Sequence, residues 1–300
     1  MSGVGEGPGM PGRARHLRGA QVHGGSGSVR PRPRPWATYV ALGDSFTEGM
    51  SDPDPVVPDR YRGWADRLAA LLAPHADGLT YANLAVRGRT LDDVAGPQVE
   101  AALALRPDLV SIVGGGNDIL RPRADVDALA AQLESAVASL RASGADVLMA
   151  TPTDPAGAPV VGLTRGRAAT YSAHIWSIAQ RHGCYVLNQW ACDFLQDWRM
   201  WAQDRIHMTP EGHRRVALAA YAALGHDPGA ADWSVPLPPA EAAGRLEQAR
   251  GHAAWAREHL APWVRRRLTG RSSGDGLGAK IPVPGPPAAP PQPGPPGGSA

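Results

Sequence analysis

The sequence YVALGDSFTEG, residues 39–49, contains the features from which the fold of this chain can be predicted. Its apolar run ends at Gly43, and Asp44 and Ser45 follow at once. This order is typical of a buried strand that presents a serine just beyond its carboxyl end. Because ligands of open α/β sheets bind in the crevice outside the strand ends, Ser45 is a candidate functional residue.

The rest of the chain repeats this strand-and-helix alternation. After the first strand, at about 38–42, the apolar runs predict four more strands, at about 80–84, 109–113, 146–150 and 185–188. Apolar residues at helical spacing predict the intervening helices, at about 61–73, 97–105, 125–142, 166–182 and 210–224. This alternation predicts an α/β fold with a five-stranded parallel sheet and helices on both faces.

Composition divides the 300 residues into one domain with extensions. Residues 1–35 form a basic arm rich in Arg, Pro and Gly, which we predict to be disordered because it has few large apolar groups. The folded domain is predicted at 36–225, and a C-terminal extension at 226–268 contains a possible helix at about 239–268. Residues 269–300 are rich in Pro and Gly and are predicted to be a disordered tail. The arginine run at 265–267 is interpreted as a solvated face.

Charge and cysteine content limit the classes of partner. The arm carries a net charge of +5, which leaves −3 for the remainder, so no nucleic-acid partner is expected. Two cysteines, Cys184 and Cys192, are not a disulfide framework and suit a reducing compartment. The arm lacks the apolar segment of a signal peptide, and no apolar run approaches the ~20 residues that span a membrane. We therefore expect a cytoplasmic protein, with no prediction of its oligomeric state.

Ser45 has two interpretations. Ser45 and Glu48 match a capping box, in which the serine caps a helix and the glutamate reaches back to it. A serine at a helix start also lies beside backbone N–H donors and the positive end of the helix dipole, which suits a nucleophile. The two roles are compatible.

The second half of the chain supplies a possible base. Asp204 precedes His207 by three residues, just before a helix that Thr209 and Pro210 are expected to begin. On such a loop the carboxylate can bind one ring nitrogen and leave the other for a serine hydroxyl. The alternative is a chance surface pair.

Two further residues follow predicted strands and could stabilise an oxyanion. Gly88 offers an unobstructed backbone N–H, and Asn117 offers a side-chain amide. The alternatives are a turn glycine and a helix-capping asparagine.

Other residues support weaker hypotheses. The spacing of Phe194, Trp198 and Trp201 fits either the lining of an acyl pocket or an ordinary buried helix face. His213 is interpreted as a helix-surface histidine, since no further metal ligands are evident. No metal and no cofactor are expected.

Together these segments resemble the ordered blocks of the SGNH (GDSL-type) serine hydrolases over about residues 38–224. Residues 43–45 (GDS), 83–88 (NLAVRG), 115–118 (GGND) and 204–207 (DRIH) match the four blocks in order, with Phe46 in place of the usual leucine. The resemblance implies a flavodoxin-like three-layer α/β/α sandwich with strand order 2-1-3-4-5. It also implies Ser45 as nucleophile, His207 as base and Asp204 as orienting carboxylate. Ser45, Gly88 and Asn117 would form the oxyanion hole.

The leading hypothesis is therefore a metal-independent esterase that acts on small-molecule carboxylic esters through an acyl-enzyme. A thioesterase or a carbohydrate deacetylase would use the same residues. The rival from another class is a non-catalytic module that binds a phosphorylated ligand at the triple glycine 114–116. Against this rival, no Gly-Lys-Ser/Thr follows those glycines, and no G-x-G-x-x-G follows a predicted strand.

Overall fold

The computed structural model describes residues 35–158, 161–229, 232–239, 255, 257–258 and 273–288. These residues belong to one compact unit, Arg32–Ala300. The predicted basic arm, apart from Pro35, lies outside the described residues. So do most of the predicted helix at 239–268 and the arginine run at 265–267.

Five parallel strands form the centre of the fold. They are β1 (Thr38–Leu42), β2 (Thr80–Asn83), β3 (Leu109–Ile112), β4 (Asp146–Ala150) and β5 (Tyr185–Leu187), within one or two residues of the predicted bounds. Their order in the sheet is β5-β4-β3-β1-β2, which confirms the expected doubly wound arrangement. Because all five run in the same direction, their carboxyl ends meet at one edge.

The helices connect these strands. They are α1 (Ser45–Glu48), α2 (Gly63–Leu72), α3 (Leu91–Asp93), α4 (Val99–Ala104), α5 (Gly116–Ile119), α6 (Val126–Ala142), α7 (Arg165–His182) and α8 (Pro210–Ala223). A π-helical turn, Val94–Gln98, joins α3 to α4 and accommodates Pro97. Short 3₁₀ turns occupy Ala73–His75, Val161–Thr164, Gln189–Ala191, Asp193–Gln196 and Trp198–Met200.

The sheet separates two apolar cores, which makes the fold a three-layer sandwich. Tyr39 and Ala41 of β1 point into the core shared with α2 and α8. Val40 and Leu42 point into the opposite core, shared with α3, α4, α6 and α7. Successive side chains of a strand face opposite sides of the sheet, so a strand covered on both sides is apolar throughout. The continuous apolar runs in the sequence reflect this double cover.

The prediction of a disordered tail at 269–300 is wrong for its described part. Residues 281–285 form a sixth strand, β6 (Ile281–Gly285), which pairs antiparallel with β2 at the edge of the sheet. The sheet therefore has six strands, where five were predicted. Pro282 and Pro284 suggested a tail, but an edge strand tolerates proline because its outer side needs no ladder hydrogen bonds.

Lys280, the only lysine of the chain, anchors this edge strand. Its Nζ donates to the backbone carbonyls of Glu48 and Arg62, both at 2.7 Å, and to the Asp66 carboxylate at 2.5 Å. Burial lowers the pKa of Lys280, and burial raises the pKa of Asp66 to about 6. The C-terminal segment is thus bound to the backbone at the end of α1.

Cys184 and Cys192 are both free thiols, and burial raises the pKa of each to about 11. Within the described ranges, no helix is both long and apolar enough to cross a membrane.

Candidate active site

The turn that carries Ser45 is set by a close approach of the backbone. A Cβ atom at Gly43 would lie 2.4 Å from Thr47 Oγ1 and 2.8 Å from the Val113 carbonyl, so only glycine fits there. The buried Gln98 side chain holds the same residue from another direction. Its Oε1 accepts from Gly43 N–H at 2.8 Å, and its Nε2 donates to the Gly43 carbonyl at 2.9 Å.

Ser45 is the first residue of α1 and is partly buried. The predicted capping box is wrong, because Asp44 is the N-cap and its Oδ1 accepts from Phe46 N–H at 3.1 Å. The Glu48 carboxylate instead binds Arg87. The capping task therefore falls to the neighbouring aspartate and not to Ser45.

The Glu48–Arg87 pair connects α1 to the loop that carries Gly88. Glu48 Oε2 accepts from the Arg87 backbone N–H at 2.6 Å, and Oε1 accepts from Arg87 Nε at 2.9 Å. The Arg87 guanidinium also lies over the Tyr61 ring, 5.1 Å from its centroid. Gly88 follows with a φ of 74°, in the left-handed region that favours glycine. The backbone at Gly88 is thus tied to the helix that Ser45 begins.

Asn117 lies in α5, just beyond the end of β3. Its Nδ2 donates one hydrogen to Asp44 Oδ2 at 3.1 Å and the other to the Arg89 carbonyl at 2.9 Å. The predicted helix-capping alternative is wrong, since Gly115 is the N-cap residue of α5. The amide of Asn117 is therefore fixed against the residue beside Ser45.

Asp204 and His207 form a compact unit on the loop before α8. Asp204 Oδ2 lies 2.6 Å from His207 Nδ1, and Oδ1 accepts from the backbone N–H groups of Ile206 and His207, both at 3.0 Å. Burial would raise the pKa of Asp204, but the hydrogen bonds and the charge of His207 lower it to about 2. Asp204 is therefore ionised at neutral pH and can hold the imidazole in one orientation.

A contact between α1 and α8 relates these two parts of the site. The ring of Phe46, the residue after Ser45, stacks on that of His213 near the start of α8, with centroids 6.1 Å apart. The loop before α8, which carries Asp204 and His207, therefore begins its helix beside α1. Burial raises the pKa of Asp44 to about 6, and both the hydrogen bond from Phe46 and the charge of His207 oppose this rise.

The grouping offers the parts needed for acyl transfer. It combines a serine hydroxyl at a helix start, an imidazole oriented by an ionised carboxylate, and an amide donor beside them. Ser45 and Asn117 lie just beyond the carboxyl ends of β1 and β3, and Asp204 and His207 lie on the loop before α8.

Phe194, Trp198 and Trp201 do not share a helix face, so that alternative is wrong. Phe194 lies in the 3₁₀ turn Asp193–Gln196, whereas Trp198 begins the next turn, Trp198–Met200, and Trp201 follows it. Asp197 separates the two turns, because its side chain caps the second one by accepting from Arg199 N–H. Phe194 is buried in the core below α8, while Trp198 is 39% exposed and faces Arg205 at 5.1 Å.

His213 is buried, which corrects its interpretation as a surface histidine. Its Nδ1 accepts from Trp64 N–H at 3.2 Å, and its Nε2 donates to the Met50 carbonyl at 3.1 Å. Burial lowers the pKa of His213 to about 4. The side chain is therefore a neutral link between α8 and the segment after α1.

The triple glycine does not form an open phosphate cradle. The Tyr171 hydroxyl donates to the Gly114 carbonyl at 3.2 Å, and a Cβ at Gly115 would lie 2.8 Å from that hydroxyl oxygen. Tyr171 thus fills the turn. In the part of the chain that the structure describes, no group of three or more His, Cys, Asp or Glu side chains could hold a metal ion.

Sequence reasoning missed the residues that hold the site from behind. These residues make hydrogen bonds to partners that are distant in sequence: Gln98 to Gly43, Glu48 to Arg87, and Trp255 to Asp204. Gln98 lies in a π-helical turn and Trp255 in the C-terminal extension, and neither position carries a sequence signal for its contact. Only the motif position of Glu48, three residues after Ser45, marked it as a candidate.

Comparison with known proteins identifies one family. The model of the GDSL-like lipase/acylhydrolase family matches residues 41–215, which is more than half of the chain. No curated protein matches the chain significantly in sequence.

Several solved structures have a similar fold. LAE5, an alpha/beta hydrolase enzyme from the metagenome of Lake Arreo, Spain, is 25% identical with a TM-score of 0.53, over 63% of this chain and 95% of LAE5. Axe2, an acetylxylan esterase from Geobacillus stearothermophilus, is 21% identical with a TM-score of 0.53, over 64% and 95%. TesA is 24% identical with a TM-score of 0.51, over 62% and 97%.

The family match runs from the end of β1 to the first part of α8 and includes every residue of the serine turn, the Gly88 loop, Asn117 and the Asp204–His207 unit. β6 and Trp255 lie outside it. The chain is a hydrolase that belongs to the GDSL-like lipase/acylhydrolase family.

Proposed function

We propose that this protein hydrolyses carboxylic esters through an acyl-enzyme formed on Ser45. The observation that carries the proposal is the hydrogen bond of 3.1 Å between Asn117 and Asp44. It supports an oxyanion donor next to the nucleophile, since Asp44 precedes Ser45 in the chain, and α1 also contacts the start of α8 through Phe46 and His213.

His207 acts as the base in this mechanism. With Nδ1–H donating to Asp204, the lone pair of Nε2 accepts the proton of the Ser45 hydroxyl as Oγ attacks the ester carbonyl. The resulting imidazolium is stabilised by the ionised Asp204 and returns its proton to the departing alcohol. Water then attacks the acyl-enzyme by the same route, which releases the acid and regenerates Ser45.

The oxyanion of each tetrahedral intermediate is stabilised by three donors, the backbone N–H groups of Ser45 and Gly88 and the amide of Asn117. One hydrogen of Asn117 is committed to the Arg89 carbonyl at 2.9 Å. The other hydrogen, which donates to Asp44, is therefore the one available to donate to the oxyanion.

The catalytic mutants of Axe2 support this assignment. They replace one serine, one histidine and one aspartate, with the aspartate three positions before the histidine. Asp204 and His207 have the same separation in this chain.

The test combines turnover with covalent labelling. The full chain should hydrolyse p-nitrophenyl acetate and react with a fluorophosphonate probe, and Ser45→Ala should lose both properties while its circular dichroism stays unchanged. Ser51→Ala, a nearby serine outside the site, should keep both. Equal hydrolysis by wild type and Ser45→Ala would refute the mechanism.

A substrate panel then separates the hydrolases that share this machinery. It should contain p-nitrophenyl esters of increasing acyl length, acyl thioesters and acetylated xylo-oligosaccharides. The substrate with the highest kcat/KM identifies an esterase, a thioesterase or a carbohydrate deacetylase.

A further inference from the structure

Trp255 contacts the loop of Asp204 and His207 from outside the family-matched region. Its indole Nε1 donates to the backbone carbonyl of Asp204 at 2.8 Å, and the residue is only 8% exposed. The donor and acceptor are 51 positions apart in the chain. A residue of the C-terminal extension is thus bonded to the backbone of the orienting carboxylate.

The same loop contains a backbone conformation that needs support. Arg205 has a φ of 55°, in the left-handed region, which a non-glycine residue adopts only at a cost in free energy. Such conformations persist when surrounding contacts hold them. The left-handed conformation of Arg205 therefore requires contacts with the residues packed around it.

Two indole rings supply such contacts. The Arg205 guanidinium lies 5.1 Å from the centroid of Trp198 and 5.5 Å from that of Trp255. A cation over an aromatic face is attracted by the negative charge of the ring face, and the attraction is stronger where water is excluded. Trp255 therefore contacts the loop at two successive residues, through its ring at Arg205 and through its N–H at Asp204.

The left-handed turn at Arg205 determines the geometry of the pair. Asp204 Oδ1 accepts from the N–H groups of Ile206 and His207, which requires the chain to fold back at Arg205. A relaxed turn would break these two bonds and change the distance of 2.6 Å between Asp204 and His207. The imidazole would then lose its fixed orientation.

We propose that Trp255 is a positioning residue, which holds the Arg205 turn and thereby orients His207 toward Ser45. The inference rests on the proposed function of Ser45, Asp204 and His207. It extends the working site beyond the family domain to the C-terminal extension.

The experiment compares Trp255→Phe with wild type in the full chain. Phenylalanine keeps a ring beside Arg205 but cannot donate to Asp204, so about 1 kcal/mol of support is lost, corresponding to roughly fivefold to tenfold slower fluorophosphonate labelling and kcat. KM should stay within about twofold, because the hydrogen bond does not touch substrate. Trp255→Ala removes both contacts and should slow labelling further.

A spectroscopic readout separates positioning from general stability. The proton between His207 Nδ1 and Asp204 should give a downfield NMR signal in wild type, absent in Asp204→Ala. Trp255→Phe should broaden or shift it, while Trp176→Ala, which removes an indole that is 48% exposed on α7, should leave it unchanged.

The outcomes separate this inference from the proposed function. If wild type and Ser45→Ala label equally, the proposed function fails. If Ser45→Ala is inert but Trp255→Phe matches wild type in labelling and in the downfield signal, only the role of Trp255 is refuted.

Discussion

The side of the site that carries Ser45, Gly88 and Asn117 differs from the loop that carries Asp204 and His207 in what holds it. The first three residues follow the ends of β1, β2 and β3, and the strands before them are buried on both faces. The second pair lies beyond two 3₁₀ turns and is fixed by hydrogen bonds within the loop and by two indoles. The first group depends on the core, and the second depends on local contacts that a single substitution can remove.

This difference suggests where each side is vulnerable. Loss of a side chain at the sheet edge leaves the backbone donors of Ser45 and Gly88 in place. Loss of the Asp204 carboxylate removes the hydrogen-bond partner of the imidazole. Apart from replacement of the nucleophile Ser45 itself, the largest effects on activity should therefore come from the loop.

Among variants that keep Ser45, Asp204→Asn should give the largest loss of activity. The amide can still accept from the N–H groups of Ile206 and His207, so the loop should fold, but it no longer favours the tautomer with Nδ1–H. We expect kcat to fall by about 10³- to 10⁴-fold. The measurement is p-nitrophenyl acetate turnover, with circular dichroism to verify the fold.

Asp197→Asn is a matched control, since Asp197 also accepts from a backbone N–H, that of Arg199 at 2.8 Å, in the preceding turn. It should keep near-normal turnover. An Asp204→Asn variant with activity within tenfold of wild type would contradict the assigned role of Asp204.

Asn117→Ala should have a smaller effect on the other side of the comparison. One of the three proposed oxyanion donors is lost, and removal of such a donor typically costs about 10²- to 10³-fold in kcat. The thermal unfolding temperature should change little, because the surrounding strands are held by the two cores. Gln132→Ala, which removes an exposed amide bonded to Asp92 at 2.8 Å, serves as the control. Near-normal turnover in Asn117→Ala would remove that residue from the site.

His213→Gln tests the link between the two sides and should affect stability more than chemistry. The unfolded chain binds a proton at His213 below pH 6.5, whereas the folded chain binds it only near pH 4. Stability from this group is therefore fully present above pH 6.5 and falls as the pH falls toward 4, by about 3 kcal/mol in total.

Glutamine can accept from Trp64 N–H and donate to the Met50 carbonyl without titrating. The free energy of unfolding of His213→Gln, measured by denaturant at pH 7 and pH 4.5, should depend less on pH than that of wild type. Asp44 and Asp66 titrate in both proteins, so the difference isolates His213. His174→Gln, which replaces a partly exposed histidine paired with Asp127, should keep the wild-type dependence. Equal slopes in wild type and His213→Gln would refute the neutral link.

The sequence predicted the five parallel strands well because buried parallel strands leave a simple pattern, whereas their order in the sheet came from the family resemblance. Continuous apolar runs such as 109–113 are visible without any knowledge of their neighbours. The helix start at Thr209 and Pro210 was also predictable, and the Thr209 hydroxyl accepts from Gly212 N–H at 3.3 Å as a cap should. These signals are local, so a linear pattern contains them.

The errors arose where the partner of a residue is distant in sequence. His213 has an ordinary position on an amphipathic helix, and its burial follows from Trp64 and Met50, about 150 residues earlier. Composition made residues 281–285 look like a tail, although an open edge of β2 was present to receive them. Glu48 fitted a capping box, yet Arg87 supplied a better partner for its carboxylate.

The amino-acid sequence by itself determined the five parallel strands and the positions of Ser45, Gly88, Asn117 and the Asp204–His207 pair along the chain, because periodicity and short motifs act over a few residues. Only the tertiary structure decided that Asp44 caps α1, that Lys280 anchors a sixth strand and that Trp255 bonds to Asp204. Those contacts depend on which surfaces meet after the sheet has formed. A polar group that becomes buried then forms a hydrogen bond with a partner that the packing places nearby.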